Sequence, residues 1–136
     1  MQPSAILESA LYVSDLGAAE TFYREVMGLE AIAGAEGRHV FFRCGAGVLL
    51  LFNAEATRQS PPPDGKLPVP PHGTAGEGHL CFAATADEIV WWKADLQARN
   101  IDIEADFEWP NGGRSIYFRD PSGNSLEFAE PRIWEL

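Results

Sequence analysis

One internal repeat constrains this chain more than anything else in it. The stretch RHVFFRCGAGVLLLF, Arg38–Phe52, returns as RSIYFRDPSGNSLEF, Arg114–Phe128, at an offset of 76 with no gap. Six of the 15 positions are identical, and Val40/Ile116 and Phe41/Tyr117 are near matches. Each copy reads as strand, tight turn, strand, because DPSGN is turn chemistry between two alternating runs. A duplicated supersecondary unit implies two equivalent modules.

The residues upstream complete the pattern. ESALYV, Glu8–Val13, reads as a strand, followed by a helix over DLGAAETFYREVMG with Ser14 or Asp15 as N-cap and Gly28 past its end. HLCFAA, His79–Ala84, reads the same way, followed by a helix over roughly Ala86–Arg99 with Ile89, Trp92 and Leu96 at helical spacing. A short strand is expected after each helix, near Leu29–Ala33 and Ile101–Ala105. The chain is then an α+β protein, two βαβββ modules at 5–53 and 79–131 in a single domain, 1–136. Between them, 54–78 holds Pro61, Pro62, Pro63, Pro68, Pro70 and Pro71, which exclude sheet interior and helix and leave a linker or a flap.

Strand parity sorts the side chains. Leu11, Val13, Val40, Phe42, Leu50, Phe52, Leu80, Phe82, Ile116, Phe118, Leu126 and Phe128 form an apolar set expected under the helices. The opposite set mixes apolar and titratable groups: Glu8, Tyr12, His39, Phe41, Leu49, Leu51, His79, Cys81, Ser115, Tyr117 and Glu127. Glu8 and His79 occupy the same place in the first strand of each module, and Leu51 is the repeat mate of Glu127. Should the two sheets join into one curved surface, these four positions converge by pseudo-twofold symmetry. Glu8, His79 and Glu127 then form a site for one divalent ion (Zn, Mn, Ni, Co or Fe), with coordination positions left open.

Composition narrows the partners. The formal net charge is −10, from 10 Lys+Arg against 20 Asp+Glu, which disfavours nucleic acid and anionic membrane. The longest apolar run, Val48–Phe52, is too short to span a bilayer. The N-terminus has no basic segment and long apolar run of the signal-peptide kind, and Cys44 and Cys81 make no disulfide framework. A cytoplasmic protein with a small-molecule partner is expected.

The stretches ESALYVSDLGAAETFYREVMGLE, GEGHLCFAA and RSIYFRDPSGNSLEFAEP together resemble the vicinal oxygen chelate superfamily: glyoxalase I, fosfomycin-resistance transferases, methylmalonyl-CoA epimerase, extradiol dioxygenases and bleomycin-resistance proteins. The resemblance implies a cup-shaped mixed sheet, helices on its outer face, a metal at its centre and, commonly, a homodimer, in some members with modules swapped between chains. Its ligands fall on Glu8, His79 and Glu127. Some members let a ligand carboxylate shuttle a proton, a role open here to Glu8 or Glu127. Glyoxalase I and the epimerase usually carry a fourth ligand where this chain has Leu51, which counts against both activities. Extradiol dioxygenases usually carry His where this chain has Glu8, which counts against that chemistry. The leading expectation is a metal-dependent lyase, isomerase or transferase acting on a small oxygenated molecule. The alternatives are a metal-free binding protein of the bleomycin-resistance type and an extradiol-type dioxygenase.

Other residues carry weaker signals. Ser115 and Tyr117 match substrate-touching positions of the fosfomycin-resistance enzymes. His39 faces the cavity by parity, as a polar wall or base, or as an ordinary edge histidine. Arg132 is the best single anion clamp among Arg38, Arg43, Arg114, Arg119 and Arg132, most of which read as surface ion pairs. His72 reads as an exposed loop residue or part of a flap, Cys81 as a small core filler or soft ligand, and Trp109 and Trp134 as rim or interface aromatics.

Overall fold

The computed structural model describes residues 1–59 and 67–136, so Pro61, Pro62 and Pro63 lie outside the described residues. The chain divides into two units, Met1–Gly76 and Glu77–Leu136. Both are βαβββ modules, and the fold is α+β.

The first unit runs β1 (Glu8–Tyr12), α1 (Leu16–Glu25), β2 (Glu30–Ala35), β3 (His39–Cys44) and β4 (Gly47–Phe52). Its mixed sheet has the order β1-β4-β3-β2, with β1 parallel to β4 and the other pairs antiparallel. Helix α1 starts where the Asp15 carboxylate accepts from the Ala18 amide at 3.0 Å. It buries Ala19, Phe22 and Tyr23, one stripe at i, i+3 and i+4, and packs across β3 and β4 with the Tyr23 ring 5.9 Å from Phe42. Gly28, at φ +68°, turns the chain back toward β2. A single helical turn, α2 (Ala54–Thr57), follows β4, capped by Asn53. It lies where no helix was expected, and it forms because the prolines begin only at position 61.

The second unit runs β5 (His79–Ala83), α3 (Ala86–Ala98), β6 (Ala105–Glu108), β7 (Arg114–Arg119) and β8 (Ser125–Ala129), then a 3₁₀ turn, Pro131–Trp134. The order β5-β8-β7-β6 repeats the first unit's topology. Thr85 and Glu88 close a capping box at the start of α3. Ile89 and Leu96 are buried, and Trp92 lies nearly flat on Phe128 at 4.5 Å. Asn100, in the left-handed region at φ 58°, ends the helix. The third element of this module comes later than the expected Ile101–Ala105, because β6 is held in place by Asp106. That carboxylate receives Lys93 Nζ at 2.6 Å and Arg114 Nε and Nη2 at 2.8 Å each, tying β6 to α3 and β7.

Arg114, and then Lys93, hold Asp106 well below the usual carboxylate range. A depressed folded-state pKa gives stability that is present above the unfolded value, about 3.9, and is lost as pH falls below it. Asp106→Asn is therefore expected to destabilise the protein by about 1 kcal/mol near neutral pH, a modest figure because the pair is partly exposed. Paired thermal melts should show the gap to the parent closing steadily below about pH 4.

The strand register corrects the gapless repeat. In the first hairpin Arg43 pairs with Val48 across four intervening residues. In the second, Arg119 pairs with Ser125 across five. The extra residue sits in a turn where Asp120 Oδ1 accepts the Ser122 and Asn124 amides at 2.9 Å each. Asn124, buried, donates to Asp120 Oδ2 and accepts from the Gly78 amide, so it pins the hairpin to the start of β5. Past the turn the repeat therefore shifts by one, and the counterpart of Glu127 is Leu50 instead of Leu51. Leu50 and Phe52 share a face with Glu8, Tyr12, His39 and Phe41, while Leu49 and Leu51 lie under α1 with Leu11, Val40 and Phe42. The sequence-based assignment had these two pairs of β4 exchanged.

Candidate functional site

The sheet face of the second unit that turns away from α3 gathers the titratable groups. Glu127 is central on β8, flanked across the strands by Cys81 on β5 and Tyr117 on β7. His79 pairs with Ser125 one step along. The Glu127 side chain is 6% exposed, whereas that of His79 is 51% exposed. Glu127 Oε1 has no hydrogen-bond partner among the described residues. A buried carboxylate oxygen left alone is costly, about 1–3 kcal/mol or more for a charged group.

The other carboxylate oxygen raises a sharper question. His79 Nδ1 lies 3.0 Å from the Ser125 carbonyl, which can only accept, so Nδ1 carries the proton. In the neutral ring Nε2 is then a lone pair, and it faces Glu127 Oε2 at 3.3 Å. Two acceptors at that distance repel unless a cation joins them. A proton on Nε2 does so, and so does a metal ion. Zinc-type donor distances of about 2.0–2.2 Å put two ligands of one tetrahedral ion about 3.3 Å apart. The imidazole held by a backbone carbonyl is also the usual outer support of a metal-bound histidine. The orphaned Oε1, the fixed tautomer and the spacing all fit a divalent ion at His79 and Glu127.

The neighbours stay neutral. Burial first, and Glu127 second, push the Tyr117 hydroxyl up to about 12. The same two causes push the Cys81 thiol up to about 12. Tyr117 is thus a hydrogen-bond donor throughout the physiological range, and Cys81 is a thiol beside the carboxylate. Ser115 is fully buried and its Oγ accepts the Trp109 indole N–H at 2.8 Å. Arg132 engages Glu130, Nε to Oε1 at 3.1 Å, and the structure brings it to that partner instead of to the Glu127 cluster.

Glu8 and His39 belong to the first unit. Glu8 is exposed at the start of β1, the strand position equivalent to His79. His39 stacks on Phe41 at 4.2 Å, and its Nδ1 is buried with no partner among the described residues. Burial, with help from Arg38, lowers its pKa, so the ring is neutral. His72 folds back onto β1: its Nδ1 meets the Tyr12 hydroxyl at 2.7 Å and its ring stands edge-on to Phe52. Among the described residues no three His, Cys, Asp or Glu side chains gather as a cation cage. The Tyr12–His72 and Trp109–Ser115 pairs went unread in the sequence. The first spans 60 residues, and the second needs the β6–β7 turn in place.

A family model described as the Glyoxalase/Bleomycin resistance protein/Dioxygenase superfamily matches residues 5–128. No curated protein matches the chain. Among solved structures, a lactoylglutathione lyase from Agrobacterium tumefaciens is 44% identical, with all of both chains covered and a TM-score of 0.94. A virulence protein from Salmonella typhimurium is 28% identical over 96% of this chain and 98% of its own, with a TM-score of 0.69. A fosfomycin resistance protein from Listeria monocytogenes, 18% identical over 93% and 91%, shares the fold at a TM-score of 0.69. No helix among the described residues is long and apolar enough to cross a membrane.

Proposed function

The chain belongs to the glyoxalase/bleomycin resistance protein/dioxygenase superfamily, and from that premise we propose that it is a divalent-metal-dependent enzyme acting on a small molecule with two adjacent oxygens. Lyase or isomerase chemistry comes first, because the 44% identical structure is a lactoylglutathione lyase, whose named ligand carries a hydroxyl beside a thioester carbonyl. Transferase chemistry is the second choice. The observation that carries the reading is the pair of facing acceptors, His79 Nε2 and Glu127 Oε2, at 3.3 Å.

His79 and Glu127 are the proposed ligands. A divalent ion bound there supplies Lewis acidity to the substrate oxygens. The residues do the rest. Ser125 holds the His79 ring through Nδ1. Glu127, with Oε1 uncommitted, takes a proton from substrate carbon or oxygen and returns it. Tyr117, neutral, donates to a developing oxyanion. Ser115 accepts the Trp109 indole N–H and keeps its own O–H to donate beside Tyr117.

Metal analysis of the purified protein beside His79→Ala tests this. Stoichiometric metal in the parent and its loss in the variant are expected, with a rise in melting temperature on adding Mn²⁺, Zn²⁺, Ni²⁺ or Fe²⁺ to the parent alone. An ion at 100 times its Kd stabilises by about 2.7 kcal/mol. No metal and no thermal response in either protein would overturn the metal centre and favour a metal-free binding protein.

A further inference from the structure

Ser115 is fully buried on β7, and its Oγ accepts the Trp109 indole N–H at 2.8 Å. An indole N–H can only donate, so it takes a lone pair of the hydroxyl and leaves the serine O–H to find an acceptor of its own. A buried O–H without one is costly. The strand register narrows the choice. On this face Ser115 has Phe107 beside it on β6 and Ala129 beside it on β8, and neither side chain can accept. Tyr117 follows two residues along β7, on the same face. Tyr117 in turn has Glu127 as its partner on β8. The acidity of the phenol agrees with this order. Burial and then Glu127 raise its pKa, and Ser115 acts in the opposite sense, as a donor to the phenol oxygen does.

We infer that Trp109 is a positioning residue for the Glu127 centre: it sets the direction of a chain of hydroxyl protons that runs from the indole N–H through Ser115 to Tyr117 and ends on the Glu127 side. The inference rests on the role proposed above for Tyr117, donor to a substrate oxygen. Each hydroxyl by itself can point either way. The indole cannot, and at the head of the chain it fixes both. The β6–β7 turn holds it there. The Trp109 amide donates to the Gly113 carbonyl and the Gly112 amide to the Trp109 carbonyl, at 2.9 Å each. Gly112 and Gly113 take φ of +86° and +88°, which residues with a Cβ disfavour. Without the N–H, Ser115 Oγ becomes an acceptor open to Tyr117, and the phenol proton turns away from Glu127.

The test removes one link at a time. Trp109→Phe keeps a ring at this 36% exposed position and drops only the N–H. In metal-free protein, Trp109→Phe and Tyr117→Phe together are expected to lower the melting temperature by clearly less than the sum of their separate losses, because each breaks the same chain. In a Ser115→Ala background the two losses should add, since the link between them is gone. Additive losses with Ser115 present, or coupling that persists without it, overturns the inference and leaves Trp109 a packing residue. A second measurement reads the phenol proton at the centre. Oxalate, an anion with adjacent oxygens, is titrated calorimetrically into Mn²⁺-loaded protein. Trp109→Phe should bind it about tenfold more weakly than the parent, with Mn²⁺ affinity unchanged. Adding Ser115→Ala to Trp109→Phe should recover most of that loss, by removing the acceptor that draws the phenol proton away. Oxalate affinity unchanged in Trp109→Phe, no recovery in the double variant, or weaker Mn²⁺ binding in Trp109→Phe overturns the positioning role. A parent that binds neither Mn²⁺ nor oxalate while the melts show the coupling keeps the chain and overturns the metal centre, so the two failures are distinguishable.

Discussion

Glu127→Gln is expected to lower turnover by about 10²–10⁴-fold while the protein remains folded. The side chain is buried at the centre of β8, one oxygen facing a histidine lone pair and the other without a partner among the described residues. Glutamine fills the same volume without the charge. Without metal, the parent buries a carboxyl group whose Oε1 has no partner among the described residues, and the variant buries a neutral amide of the same shape. The metal-free variant should therefore melt no lower than the metal-free parent, and by this argument somewhat higher. Addition of Mn²⁺ or Zn²⁺ should then reverse the order, raising the parent's melting temperature and leaving the variant's nearly unmoved. A residue that served packing alone would give the opposite, lower stability with metal response intact. Full metal response in Glu127→Gln would remove this carboxylate from the centre and with it the proposed proton transfer.

The parts of the fold legible in the sequence are those where polarity changes sharply along the chain. Helix α1 was legible from Asp15 as a cap candidate and Gly28 past its end, and α3 from Ile89, Trp92 and Leu96 at helical spacing, of which the structure buries Ile89 and Leu96. Glu127 and His79 were legible as a pair because each interrupts an apolar strand at a position whose parity is fixed by Leu80 and Leu126. Strand β4 gave no such parity. Leu49, Leu50, Leu51 and Phe52 are buried on both faces, so alternation carries no information there. The repeat then misled, since Leu50/Leu126 and Phe52/Phe128 look identical across a one-residue shift that only the Asp120–Asn124 turn reveals. IDIEADFE offered two strand frames of equal polarity. The ion pairs of Asp106 with Lys93 and Arg114 accompany the later one. Cys81 beside Glu127, Trp109 on Ser115 and His72 on Tyr12 are products of chain reversal, and no local pattern encodes them.

Leu51→Glu is expected to abolish cooperative folding of the first unit at neutral pH, and it tests the corrected register directly. Leu51 is fully buried and pairs with Leu11 on one side and Val40 on the other. Above them lies α1, with Ala19, Phe22 and Tyr23 turned inward. None of these groups can neutralise a carboxylate. Truncation to alanine at such a position costs about 2–5 kcal/mol through lost contacts and the cavity left behind. A charged side chain adds several kcal/mol of desolvation, and the sum rivals the whole stability of a typical domain, about 5–15 kcal/mol. Under the gapless repeat the expectation inverts: position 51 would share a face with Glu8, and a second carboxylate there would be accommodated, with added metal restoring stability. Thermal melts of Leu51→Ala and Leu51→Glu, with and without Zn²⁺, separate the two registers. A large loss for Ala, no folded baseline for Glu and no rescue by metal are the results expected for a residue under α1. A Leu51→Glu protein that melts like the parent, or that zinc stabilises, would move the residue to the other face and restore it as the counterpart of Glu127.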